Sequence, residues 1–229
     1  MPNCKHISIF KINEARESAE RFDAFAFAVC IKLKYSSSVI HKADIRTIRS
    51  TFGIGTEKAS KVLKNALEYG YLKEYGKYYV AEKIKSEYNN IDIEVDKITL
   101  KTVSKELKKL TILNHISNNE KVNSLKEKAS NPKSLKEYKK AKRLLDKWNV
   151  NKFDTDGGLS YTAIAKKANV SIRTAIKYIK ELVETGKLKK QTFKIEFFNP
   201  EFIKLDKNVF EYKGILFYQQ SNKYTLAFS

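Results

Sequence analysis

DIRTIRSTFGIGTEKASKVLKNALEYGYLK, residues 44–73, decides the fold. Asp44 can cap a short helix reaching about Phe52, with Ile45 and Ile48 turned inward. Gly53-Ile54-Gly55 is a tight turn. Thr56 then opens a second helix whose Ala59, Val62, Leu63, Ala66 and Leu67 fall on one face at helical spacing. Gly70 suits the left-handed residue that follows a helix. The next stretch, YLKEYGKYYV, reads as a hairpin turning at Tyr75-Gly76.

The same order returns 116 residues later, in SYTAIAKKANVSIRTAIKYIKELVETGKLK, residues 160–189. Ser160 can cap a helix to about Ala168, with Ile164 and Ala165 inward. Asn169-Val170-Ser171 is the turn, and Ser171 can cap the next helix. That helix is expected to bury Ile172, Ala175, Ile176, Ile179, Leu182 and Val183. Gly186 ends it, and Leu188 starts a strand-rich tail. The two stretches share 8 identities over 30 ungapped positions, among them Ile48/Ile164, Ala59/Ala175, Gly70/Gly186 and Leu72/Leu188. Caps, turn apolars and terminal glycines also coincide, which says more than lysine matches in a lysine-rich chain.

Outward from these repeats, residues 7–12 read as a strand. Residues 17–35 read as a helix apolar on more than one face and therefore buried, ended by Ser36, Ser37 and Ser38. Ile91, Ile93 and Val95 alternate with acids, as in a strand or arm. Leu100, Val103, Leu107, Leu110 and Leu113 mark one helix. Leu135, Tyr138, Ala141, Leu144, Leu145 and Trp148 mark another, expected to serve as the first helix of the second repeat's domain. Asn131-Pro132 breaks between them. From Gln191 onward the tail is aromatic and strand-like, longer than a simple hairpin. It can complete a sheet, pair with the N-terminal strand, or offer an edge for a homodimer.

The 229 residues carry 45 Lys plus Arg against 26 Asp plus Glu, a net charge of +19. Such a balance points to a polyanion. Residues 97–152 alone hold 16 basic and 5 acidic side chains, either a solvated helix face or a nucleic-acid contact. Only six residues are Arg; an AT-rich coding bias accounts for most of the Lys excess, while Arg is the better reader of guanine edges and Lys suits phosphate. No apolar run approaches the roughly 20 residues of a membrane span, and the N-terminal residues lack the pattern of a signal peptide. Two cysteines, Cys4 and Cys30, exclude a disulfide scaffold and fit a reducing compartment. Three scattered histidines support neither a metal site nor a nucleophilic triad, and no glycine stretch has phosphate-loop spacing. No catalytic residue, cofactor or metal is expected, and the chain does not read as an enzyme.

Helix, short turn, helix, glycine and basic aromatic hairpin resembles the order of a winged helix-turn-helix, and that resemblance implies that the second helix enters the major groove with its N-terminal outward residues. In the second repeat these are Arg173, Thr174, Lys177 and Tyr178, with Arg173 the foremost candidate for base readout. Ser171, Lys166 and Lys167 would lie near phosphates, and Lys189 and Lys190 would belong to the following hairpin. In the first repeat the candidates are Thr56, Lys58, Lys61 and Asn65 on the second helix, where Glu57 would repel phosphate. Arg46 and Arg49 on the first helix and Lys73 and Lys77 on the hairpin complete the set.

Residues 20–81 and 134–198 resemble winged helix-turn-helix DNA-binding domains. The resemblance rests on Asp44, Ile54, Ala59, Gly70 and Leu72, and on Ser160, Val170, Ala175, Gly186 and Leu188. A chain of this length with two such domains is similar to the replication initiators of iteron plasmids and to phage or mobile-element regulators. The resemblance implies two recognition helices on one face, set apart by a connecting helix.

The expected fold is therefore α+β and mostly helical, with two winged helix-turn-helix domains and a basic helical connection. The expected boundaries are an N-terminal strand or arm at 1–19, a first winged helix at 20–96, a linker at 97–133 and a second winged helix with an extended β segment at 134–229. The expected function is sequence-specific binding of double-stranded DNA by a transcriptional regulator. Initiation of replication of a plasmid or mobile element is one alternative. A structural polyanion binder (nucleoid, virion-associated or RNA-binding) is the other. The expected setting is the cytoplasm, at the nucleoid and away from membranes.

Overall fold

The computed structural model describes residues 3–6, 12, 14–35, 38–42, 45–82, 90–147, 160–191, 194–197, 209–212, 215–219 and 223–227. Asp44, residues 7–11, Ser36, Ser37 and Trp148 lie outside these, with the readings placed on them. The chain divides into two compact units, residues 1–111 and 112–229.

The first described element of unit 1 is β1 (Asn3–His6). Of the strand expected at 7–12 only Ile12 is described, and it is helical and fully buried. β1 pairs antiparallel with β5 (Asn90–Ile93), whose Ile91 and Ile93 are buried as their alternation requires. Helix α1 (Ala19–Lys34) is capped by Ser18, whose hydroxyl accepts from the Arg21 amide at 3.0 Å. An unbroken run from Ala24 to Ile31 is buried, so α1 is enclosed on all sides. Strand β2 (Val39–His41), helices α2 (Ile45–Phe52) and α3 (Thr56–Glu68), and strands β3 (Leu72–Tyr75) and β4 (Tyr78–Ala81) follow. The three strands form one antiparallel sheet in the order β2-β4-β3. Phe27 of α1 and Phe52 of α2 meet edge to face, ring centres 5.2 Å apart, both fully buried.

Helix α4 (Leu100–Ser130) starts in unit 1 behind a reciprocal cap between Thr99 and Thr102 and ends before Asn131-Pro132. It fills most of the stretch expected as a linker. Its Leu100, Val103 and Leu107 are buried in unit 1.

In unit 2, Ile112 and Ile116 of α4 join an apolar cluster with Ile164, Ala165, Ala168, Ala175, Ile179, Leu182, Leu188 and Tyr224. The helix expected at that place, α5 (Leu135–Lys147), packs elsewhere. Its Ala141 and Leu145 meet Ala129 and Leu125, and Leu135 is 68% exposed. Helices α6 (Tyr161–Ala168) and α7 (Ile172–Glu184) lead to β6 (Leu188–Gln191). Three strands follow: β7 (Lys194–Phe197), β8 (Val209–Tyr212) and β9 (Ile215–Gln219). They form a separate antiparallel sheet in the order β7-β9-β8. The partner of β6 is β10 (Lys223–Leu226), with Leu188 opposite Leu226. The tail thus completes the sheet of its own unit.

Candidate nucleic-acid interface

The motif of unit 2 is built from local hydrogen bonds. The Ser160 hydroxyl accepts from the Ala163 amide at 3.1 Å and opens α6. Asn169 takes a left-handed φ of +50°, and the Val170 amide donates back to the Ala165 carbonyl at 3.1 Å. Ser171 then caps α7 through the Thr174 amide at 3.1 Å. Ala175, Ile179 and Leu182, spaced i, i+4 and i+7, fix which face of α7 is inward.

That face is narrower than the sequence reading. Ile172, Ile176 and Val183, expected in the core, are 47%, 42% and 37% exposed. Ile176 and Val183 each lie about 100° round the helix from a buried neighbour, Ala175 and Leu182, on the arc between core and charged face, and Ile172 is the first residue of the helix. Arg173, Lys177 and Lys180 point outward, and Lys180 reaches Glu184 at 3.8 Å in a solvent-exposed pair. The other two expected reading residues are engaged with the fold. Thr174 is half-buried with its hydroxyl 2.8 Å from that of Ser171, and Tyr178 packs against the apolar cluster.

Lys166 and Lys167 are exposed in the last turn of α6. Lys189 and Lys190 are exposed on β6. The Lys190 ammonium donates to the Tyr161 hydroxyl at 3.0 Å and lies 5.5 Å from that ring's centre. Burial pushes the Tyr161 hydroxyl up. The bonds from Lys190 and Tyr224 and the charge of Lys190 outweigh it, so the group titrates below the ordinary tyrosine value.

Unit 1 repeats the backbone pattern at a spacing of 116 residues. Gly53 has φ +63°, and Ile54 donates to Arg49 at 3.1 Å, as Val170 does to Ala165. Ala59 donates to Gly55 and Ala175 to Ser171, both at 2.9 Å. Gly70 and Gly186 have φ +70° and +67° and donate to Leu67 and Val183, both at 3.0 Å. Ile48, Ala59 and Leu72 are buried like Ile164, Ala175 and Leu188.

The side chains on the α3 face differ. Lys58 is bonded to Asp23 at 2.8 Å and Lys61 to Glu20 at 2.6 Å, so both lean on α1. The bond to Glu20 raises the Lys61 ammonium above its ordinary value. Asn65 is half-buried. Thr56 accepts from Arg49 Nη1 at 3.2 Å, while Arg46 is exposed one turn earlier on α2. Lys73 and Lys77 are exposed on the hairpin. Ser60 and Lys64, which the sequence reading passed over, are exposed on α3, as Lys180 is on α7. A helical projection with Ala59, Val62 and Ala66 fixed inward would have found them. Among the described residues no three His, Cys, Asp or Glu side chains gather as metal ligands.

Among the described residues, no helix is long and apolar enough to cross a membrane. No curated protein and no solved structure matches the chain. Residues 154–189 match the family of winged helix-turn-helix DNA-binding domains. The match runs through α6, the Asn169 turn, α7 and the start of β6. The stretch 154–189 in unit 2 is thus a winged helix-turn-helix DNA-binding domain.

Proposed function

We propose that the protein is a transcriptional regulator that reads double-stranded DNA through α7. The observation that carries this is the outward face of α7. Arg173 and Lys177 stand exposed at the start of the second helix of a DNA-binding motif, with no ion pair to any described residue. Arg173 can bond guanine O6 and N7 bidentately. Ile172 and Ile176, exposed beside it, offer apolar contact to thymine methyl groups. Lys166, Lys167 and Lys189 take phosphates and set the register. Lys190, anchored on Tyr161, adds a positioned charge.

We further propose that unit 1 is a second winged helix. Its element order, its sheet order β2-β4-β3 and the hydrogen bonds shared at a 116-residue spacing support this. Two such domains could read half-sites about 10 base pairs apart. That tandem arrangement is also what favours a replication initiator as the second reading.

Selection from a random duplex pool at about 0.15–0.2 M salt, where backbone-only binding is weak, tests the proposal. A defined motif is expected. On that motif Arg173→Ala should cost about 1–3 kcal/mol, with little effect on random duplex. Recovery of bulk DNA without a motif, or an equal loss on both duplexes, would replace the regulator with a structural polyanion binder.

A further inference from the structure

The hairpin of unit 1 carries a feature that the reading through α7 does not use. Only Gly76 and Lys77 separate Tyr75 from Tyr78, so these two tyrosines stand directly opposite each other on β3 and β4. β2 places His41 opposite Tyr78 on its other side. Directly opposed residues of antiparallel strands project from the same face. His41, Tyr78 and Tyr75 therefore form one row across all three strands. The alternate positions Ile40, Leu72 and Ala81 are buried, which puts the row on the solvent face. Tyr75 is 60% and Tyr78 48% exposed, and the His41 ring stands edge-on to Tyr78 with centres 5.2 Å apart. Large rings left in water on a rigid sheet forgo the stabilisation that burial would give them, which is what makes such a row informative.

The charge around the row has one sign. Lys73 lies on the same face two residues before Tyr75, and Lys77 is in the turn. Both are exposed and make no ion pair with a described residue. The acid of β3, Glu74, projects to the other face and is held by Lys42 at 2.9 Å.

We propose that this sheet face binds single-stranded DNA, with unpaired bases stacking on Tyr75 and Tyr78 and phosphates meeting Lys73 and Lys77. Base–aromatic stacking beside a positively charged track is how single strands are held without sequence readout. A duplex hides its base faces in its own stack, so it cannot use such rings. A protein interface core is depleted in lysine, whereas here lysines adjoin the rings. DNA rather than RNA is the chosen strand because the same chain carries a DNA-binding domain. This site uses none of the residues of α7 and is tested apart from the reading through α7; Lys73 and Lys77 also belong to the expected duplex set, so Tyr75 and Tyr78 are what tell the two apart.

The test is fluorescence anisotropy of the full chain with a labelled 12-nucleotide oligothymidylate at about 0.2 M salt, beside a 20-base-pair duplex. Each stacked ring is worth about 5–150-fold in affinity, so Tyr75→Ala/Tyr78→Ala should weaken single-strand binding at least tenfold. Duplex affinity should not move, and Tyr75→Phe/Tyr78→Phe should restore the single-strand affinity. Lys73→Gln/Lys77→Gln should lower the single-strand salt slope by about 0.7 per lysine. An unchanged thermal transition in the alanine variant keeps the comparison fair. Absence of single-strand binding, or equal binding by the alanine variant, would overturn the proposal. Parallel loss on the duplex would make the row a duplex contact and overturn it too. Tighter binding of oligouridylate than of oligothymidylate would overturn the choice of DNA.

Discussion

Gly53 and Asn169 hold the same left-handed backbone, φ +63° and +50°, at the same step between two helices, 116 residues apart. Glycine enters that region freely, and asparagine is the side chain that enters it most readily. A Cβ on Gly53 would meet Thr99 Cγ2 at 3.5 Å, an ordinary contact, so any penalty there is one of backbone. Gly53→Asn and Asn169→Gly should each shift stability by well under about 1 kcal/mol, whereas valine at either site should cost about 1–2 kcal/mol. Denaturant midpoints of the four variants decide it.

Ile116 is fully buried in the apolar cluster of unit 2, and Leu135 is mostly in solvent. Ile116→Ala should destabilise unit 2 by about 2–5 kcal/mol. Leu135→Ala should stay within about 0.5 kcal/mol. Hydrogen exchange of the α7 amides reads this change in unit 2 alone. Equal effects would return α5 to the place that α4 occupies.

The pairs Lys58–Asp23 and Lys61–Glu20 hold two lysines of α3 against α1. Both are solvent-exposed, so Glu20→Gln/Asp23→Asn should change stability by less than about 1 kcal/mol per pair. Freed lysines should steepen the salt dependence of duplex binding by up to about 0.9 each if α3 faces DNA. An unchanged slope in a salt titration would remove α3 from the interface.

Burial pushes the Cys30 thiol well above its ordinary value. The folded state therefore keeps its proton where the unfolded chain has lost it. This contribution is fully present below the free-thiol value of about 8.5 and declines as pH rises beyond it. Denaturation at about pH 7 and pH 9.5 should show a steeper alkaline loss for the native sequence than for Cys30→Ala. In a Cys4→Ala background a thiol reagent should label Cys30 only as fast as unit 1 opens.

The two helix pairs, their turns and their terminal glycines were legible in the sequence because each depends on neighbours a few residues apart. Gly70 and Gly186 could be placed from helix phase alone, and both take positive φ. What depends on distant partners was not legible. β2 has three residues, too few for alternation to register, and exists because β4 hydrogen-bonds to it. The pairings of Lys58 and Lys61 required the position of α1. The burial assigned to Ile176 followed from counting every apolar side chain of α7 as core, although Ala175, Ile179 and Leu182 already fill the inward arc, whereas Ile172 is close in phase to Ile179 but stands at the helix's first position. Asn131-Pro132 marked a real helix end, but which side of it would supply the core of unit 2 is a matter of packing. Within the site, Arg173, Lys177 and the exposed lysines follow from helix phase. The engagement of Thr174 and Tyr178 does not.

The pairing of β6 with β10 also sets an order of events during synthesis. Leu72 finds Ala81 nine residues further on, so β3 can pair almost as soon as it is made. Leu188 must wait for Leu226, 38 residues later, with the β7-β9-β8 sheet translated in between. At ribosomal speeds of about 5–20 residues per second, β6 stands for seconds as an open edge able to pair with a neighbouring nascent chain. Lysine along an edge discourages such pairing. Lys189 and Lys190, exposed on β6, are the residues placed to discourage such pairing while the chain is unfinished.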